Sequence, residues 1–439
     1  MTVSPPPAAQ GSVTNHSLQV VAAHERVFAW HNHAALWFSL GVGLLVLQMG
    51  ALIAPALGFT GALWVIAGGS LLGAALLAWV AHIGATHGLA SAGLMHAVMG
   101  RRFAQLPVLL NIVQLLGWGA FELVVMREAT VAIVSRLGWI GAGTSAALWA
   151  TLAWGALLTL LMTLPMVRLV RQLIARVALP LVVLALLWIS WQLLGQAHTQ
   201  GWAALTATPG NGSMSRLSAL DLVIAMPVSW LPLVADYARH GRSAKGAFWG
   251  TWAGFALANA WCYGLGVLIA TLMPGTEMMA AVLLVQGGLL ALALVLLDEV
   301  DNAYGDTYSA AMSAHSLLPR RSVRHWAVVV ALACTVLAIV LQMHSLEPFL
   351  ILLSSVFTPL FGVIVGSLAG RRDVAGLLSR APAVNGGAVA IWLLGIGGYH
   401  ALAQWAPHWG SALPAFALTL GLSALLRVVH QPAAARSMA

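Results

Sequence analysis

The chain has 439 residues, of which 60% are hydrophobic and only 7% charged; soluble domains carry about 25% charged residues, so a water-facing surface at this length is excluded. The net charge of +8 does not point to nucleic acid, because the basic residues stand in short clusters between apolar runs, as in the loops of membrane proteins. Cys262 and Cys334 both lie in apolar segments, which argues against a disulfide framework.

Residues 1–33 are polar, contain Pro5, Pro6 and Pro7, show no cleavable signal, and read as a disordered cytoplasmic tail. A spanning helix needs about 20 mainly apolar residues. Twelve such segments follow, near 34–57, 60–82, 104–126, 142–164, 175–195, 218–237, 247–272, 278–302, 326–345, 347–369, 384–404 and 412–430. The stretch 84–103 is too polar and Gly-rich to cross, and reads as an amphipathic helix lying along the interface. No linker is long enough for a soluble domain. The reading is therefore a core of 34–369, two additional spans in 384–430, and a cytoplasmic tail at 431–439.

Orientation follows from the basic residues. With the N-terminus inside, only Arg127, Arg136 and Arg216 fall outside; the other seventeen, among them Arg101, Arg102, Arg168, Arg171, Arg176, Arg239, Arg242, Arg320, Arg321, Arg371, Arg427 and Arg436, fall inside. This split predicts an inner-membrane, multi-pass protein with both termini cytoplasmic.

Two spans carry interruptions that a lipid-facing helix avoids. The first reads Gln48-Met49-Gly50 and then Ala54-Pro55, and the sixth holds Pro227 and Pro232 around Ser229-Trp230. Proline removes a backbone donor, and freed groups at mid-membrane must be satisfied by protein, water, ions or substrate. The interrupted spans are five helices apart, the offset of a five-plus-five inverted repeat (about 34–195 and 218–369) whose broken helices build a midplane site.

Ionisable side chains inside spans are costly and usually functional. The eighth span carries Asp298, Glu299, Asp301, Asn302 and Asp306, all within about half the circumference of one helix. In the third span Glu122 follows Trp118 by four residues, so indole and carboxylate share a face, with Gln114 four residues before. A flat ring can stack on Trp118 while Glu122 accepts from its N–H groups. Pairing of Glu122 with Arg127 is the structural alternative. Asn259 fits either interhelical bonding or a site.

The stretches Gln48–Gly58 (QMGALIAPALG), Pro107–Glu122 (PVLLNIVQLLGWGAFE), Ala225–Lys245 (AMPVSWLPLVADYARHGRSAK) and Asn302–Ala310 (NAYGDTYSA) make the sequence similar to the nucleobase–cation symporter family, nearest its cytosine and hydroxymethylpyrimidine branch. The resemblance implies an all-α polytopic membrane protein with a LeuT-like fold, broken helices 1 and 6, alternating access, and uptake of a heterocycle with a proton or sodium ion and no cofactor. It implies substrate contacts at Gln48, Gly50, Trp118, Glu122, Ser229, Trp230 and Asp306, and ion coupling at Asp298, Asp301 and Asn302. Glu122 and Asp306 stand where the family has amides, and Asp301 and Asn302 where it has the paired hydroxyls of a sodium site. These departures suggest proton coupling through Asp301 or Asp298, since a buried carboxylate can carry a proton. Two carboxylate acceptors suit an amino-bearing pyrimidine or purine. The alternatives are a same-fold transporter of an amino acid or amine, and an intramembrane Mg-dependent prenyltransferase, which needs a second acidic cluster that the spans lack.

Overall fold

In the computed structural model the described residues are 18–139, 144–164, 179–276, 278–342 and 346–429. Arg168, Arg171, Arg176 and Arg436, the first seventeen residues and the tail 431–439 lie outside them.

The helices are α1 (Trp30–Ser39), α2 (Leu44–His87), α3 (Ser91–Met99), α4 (Gln105–Arg136), α5 (Thr144–Leu161), α6 (Leu179–Gln200), α7 (Arg216–Ser229), α8 (Leu231–Ala238), α9 (Ala244–Leu272), α10 (Gly288–Leu317), α11 (Val323–Val340), α12 (Leu346–Leu368), α13 (Val374–Ser379), α14 (Gly386–Trp405) and α15 (Ala412–Val429), with short turns of helix between some of them. Among the described residues nine spans, counting α7 and α8 as one, are long and apolar enough to cross a membrane. Three more crossings follow from physical reasons. The 44 residues of α2 would reach about 66 Å as one rod, roughly twice a bilayer core, and break at Gly58, whose φ of 72° favours glycine. The helix α5 is apolar but shorter, and α10 is apolar except for its carboxylates.

Glycines set the packing of the first two spans against the sixth and seventh. Gly250 and Gly254 of α9 lie against the backbone of Trp30 and Ala34, and Gly266 against Leu47. Residue numbers rise together, so the first span runs parallel to α9. Gly69, Gly73 and Gly84 meet Val223, Pro227 and Ala235, so the second half of α2 runs parallel to α7–α8. Since α7–α8 and α9 are consecutive crossings, the first and sixth spans run opposite ways, which is the inverted repeat. Small residues let backbones approach closely where lipid offers no hydrophobic drive.

The first break differs from the one expected at Gln48–Pro55. Helix α1 ends at Ser39 and α2 starts at Leu44, so the interruption is Leu40–Gly43. Pro55 lies inside α2 just before Gly58, where Asn211 N donates to Pro55 O (2.9 Å) and Gly212 N to Ala56 O (3.1 Å). A returning loop thus satisfies the carbonyls near the reversal. In the sixth span Trp230 separates α7 from α8, as the proline spacing predicts.

Two interfacial expectations change. All nine residues of α3 are buried, so it is not a surface amphipathic helix. It lies under α13 and beside α8, and its first-turn Ser91 N donates to Asp236 (2.8 Å). The polar start of the chain is partly tied down: Phe28 N donates to His240 O (2.9 Å), Arg242 N to Phe28 O (2.8 Å), and Arg26 reaches Ala85 O (3.2 Å).

The last two spans are fastened to the sixth by Asp221, whose carboxyl accepts from Ser411 N and from Ala412 N (3.1 Å) at the start of α15. Replacing Asp221 with Ala leaves these donors unmet, an expected loss of about 1–3 kcal/mol. The thermal unfolding midpoint in detergent should fall in Asp221→Ala and recover partly in Asp221→Asn.

Candidate functional site

The site is built where α10 passes the break in the first span and faces α4. Ser39 Oγ, at the end of α1, donates to Asp298 Oδ1 (2.7 Å). Across the break, Leu44 N, the first amide of α2, donates to Glu299 Oε1 (2.6 Å), and Asn302 Nδ2 donates to Val42 O (3.0 Å). The carboxylates of α10 therefore satisfy the donors that a broken helix exposes. A carboxylate at a helix N-terminus is favoured by the helix dipole as well as by the hydrogen bond. Asp301, three residues on, is an acidic neighbour of Asp298. Asp298 and Asp301 form one acidic group beside α1.

The second group faces α4. The carboxyls of Glu122 and Glu299 lie within hydrogen-bond reach of each other, with Asp306 and Asp298 as further acidic neighbours of Glu122. The ion pairs among the described residues, Arg127–Glu128 and Arg380–Asp373, involve none of these groups. Arg127 also donates to Ala338 O (2.8 Å), so the pairing of Glu122 with Arg127 is not made.

Helix α4 presents a polar stripe to this region. Gln114, Trp118 and Glu122 are spaced by four residues and are all buried. Each keeps one buried polar atom with no partner: Gln114 Oε1, Trp118 Nε1 and Glu122 Oε2; Asp306 Oδ2 on α10 is in the same condition. The other end of the Gln114 amide donates to Ser229 O (3.2 Å), at the break of the sixth span, and to Asn111 Oδ1 (2.9 Å). Gln114 is the residue that sequence reasoning undervalued. Its position four before Trp118 was visible, but its use of the Ser229 carbonyl depends on where α7 ends.

Aromatic rings shape the site. Trp118 meets Phe349 of α12 edge-on, centroids 5.4 Å apart at 69°. Trp230 meets Trp37 edge-on at 6.1 Å and lies against Gly305 of α10, beside Asp306. The structure thus gathers Trp118, Glu122, Ser229, Trp230, Asp298, Asp301, Asn302 and Asp306 around α10 and the two breaks. Gln48 lies elsewhere: it lines a cavity of about 340 Å³ with Pro55, Met273 and Gly275. Gly50 packs against the backbone of Tyr263, a helix contact. Asn259 makes an interhelical bond, its Nδ2 donating to Ser70 Oγ (2.9 Å), while its Oδ1 is buried without a partner.

Among solved structures, the fold is similar to Mhp1, a nucleobase-cation-symport-1 family transporter, in a closed conformation with bromovinylhydantoin bound: TM-score 0.78, 17% identity, covering 95% of each chain. The inward-facing conformation of Mhp1 matches with TM-score 0.76 at 17% identity, over 98% of this chain and 96% of that one. A Na+-coupled sialic acid symporter in a substrate-bound outward-open state matches with TM-score 0.59 at 11% identity, over 93% and 92%. A search of curated proteins finds no match. The sequence model of one transporter family, described as permease for cytosine/purines, uracil, thiamine, allantoin, matches residues 20–410. With nearly its whole length inside that match, this multi-pass membrane chain belongs to the cytosine/purine permease family.

Proposed function

We propose that the chain imports an amino-bearing pyrimidine or purine across the cytoplasmic membrane by proton symport, with both termini on the cytoplasmic side. The observation that carries this reading is the polar stripe of α4 and its partner on α10. Gln114, Glu122 and Asp306 offer unpartnered acceptor oxygens, and Trp118 offers a ring face and one unpartnered donor. Buried polar groups are normally paired, so this set calls for a flat ligand that presents several N–H donors, as an exocyclic amine does. Cytosine, adenine and hydroxymethylpyrimidine each carry an exocyclic amine, and uracil carries none. Trp118 forms one wall, and Trp230 together with Ser229 belongs to the other side, at the break of the sixth span.

Coupling rests on the α10 carboxylates. Asn302 is engaged with Val42 O, and Asp298 takes the Ser39 hydroxyl with Asp301 as its acidic neighbour, where paired hydroxyls would suit sodium. The proton-carrying element is the Glu122–Glu299 pair, backed by Asp298 and Asp301. Glu122 borders the substrate face and Glu299 holds the first amide of α2, so a change in either occupancy is felt at the broken helix.

The test is a thermal-shift panel on purified protein at two pH values, with and without sodium. Cytosine or adenine should stabilise the protein without sodium, and more strongly than uracil or hydantoin. Equal stabilisation by uracil would remove the donor-rich ligand, and a strict sodium requirement would remove the proton.

A further inference from the structure

A cavity of about 320 Å³ lies between α3, the end of α12, the start of α14 and the last turn of α15. Its lining includes Arg371, Arg427, Ser367, Ser423 and Asn385. It sits at the basic end of the bundle, because Arg101 N donates to Pro382 O (2.8 Å) and Arg102 N to Ala383 O (2.9 Å) in the segment leading into α14.

We propose that this cavity binds the phosphodiester headgroup of an anionic phospholipid from the cytoplasmic leaflet. Two guanidiniums line one cavity, and among the described residues no acidic side chain lines it with them. The nearby acid, Asp373, is already spent on Arg380 (3.1 Å) and on the first turn of α13. Each arginine commits one N–H to the end of α12: Arg371 Nε to Ser367 O (2.9 Å) and an Arg427 Nη to Ala369 O. A guanidinium has five donors in a fixed fork, so most of the donor capacity is left for an anion with several oxygens. A second observation points the same way. The Ser423 hydroxyl is buried (3% exposed), lines the cavity and has no partner. Burial and the Arg427 charge together hold the Arg371 guanidinium below its ordinary range, a strain that a bound anion relieves.

The surroundings favour a lipid over a soluble phosphate. Leu425, Val428 and Val429, on the same turns of α15 as Arg427, are exposed apolar side chains, as is Val384 beside Asn385. Acyl chains can lie on this surface while the headgroup enters the cavity. Basic pockets between spanning helices on the cytoplasmic side are known sites for such headgroups. The site ties α12 to α15, and so the core to its two additional spans.

The experiment measures thermal unfolding and native mass spectra of the full-length protein in detergent with added phosphatidylglycerol, phosphatidylcholine or inorganic phosphate. Phosphatidylglycerol should raise the midpoint and remain bound, while phosphatidylcholine and phosphate should not. The double variant R371Q/R427Q should bind phosphatidylglycerol about tenfold or more less tightly. The exposed neighbour in R372Q should leave binding intact. R371K/R427K, which keeps both charges, should retain part of the lipid effect if the glutamine variant folds poorly. Arginines that only cap α12 would lower stability equally in every lipid, and that result overturns the proposal. So does equal stabilisation by phosphatidylcholine, or by phosphate alone.

Discussion

Glu122→Gln will uncouple uptake from the pH gradient while its amide oxygen keeps one acceptor for the ligand. One unit of inward gradient is worth about 1.4 kcal/mol per proton, enough for roughly tenfold accumulation at one-to-one coupling. Proteoliposomes containing the native protein should approach that ratio for cytosine, and those containing the Glu122→Gln protein should only equilibrate. The reason lies in the pair. Glutamine keeps the shape and can still donate to Glu299, but it cannot release a proton. Glu299→Gln should show the same loss together with lower stability. Its amide keeps an acceptor for Leu44 N, yet the charge that complements the start of α2 is gone. Accumulation by both variants at the native level under the same gradient would assign coupling elsewhere. Asp298, which holds the Ser39 hydroxyl, and its neighbour Asp301 would then be the groups to change next.

Trp118→Ala is expected to weaken ligand binding about 5- to 150-fold, because stacking of a base on an aromatic ring contributes roughly 1–3 kcal/mol. Calorimetry with cytosine or adenine measures it directly. Trp118→Phe should retain most of the affinity, since a ring face remains, with a smaller loss from the missing indole N–H. The indole also packs edge-on against Phe349, so the variants should be compared for folding by unfolding midpoint before affinities are read. An affinity within about threefold of native in a folded Trp118→Ala protein would place the ligand away from this face.

Much of the candidate site was legible in the sequence. Trp118 and Glu122 stood out because four-residue spacing fixes a shared helical face, and helix geometry holds in any environment. The carboxylates of α10 stood out because lipid makes such residues rare. Division of that cluster into a group beside α1 and a group facing α4 was not legible. A helical wheel shows which residues share half a circumference, but not which neighbouring helix each meets. The first break was misplaced for a related reason. Pro55 and Gln48 carry strong local signals, whereas Gly41-Val42-Gly43 looks like ordinary spanning sequence. Proline near a chain reversal costs little when a loop supplies donors, as Asn211 and Gly212 do. The break at Leu40–Gly43 is stabilised by Asp298, Glu299 and Asn302, about 260 residues later in the chain.

The choice of lipid as solvent, the spans, the five-helix offset of the interrupted crossings and the basic end of the bundle are all written in the order of the residues. Each follows from composition, hydropathy over about 20 residues, or loop charge, which are properties a segment has alone. Other features needed the folded chain: Glu299 holds the first amide of α2, Glu122 meets Glu299, α3 is buried, and Gln48 lines a separate cavity. Those are pairings between distant segments. They are set by the close glycine contacts that bring the first two spans against the sixth and seventh, and by the need to satisfy every buried backbone group within protein.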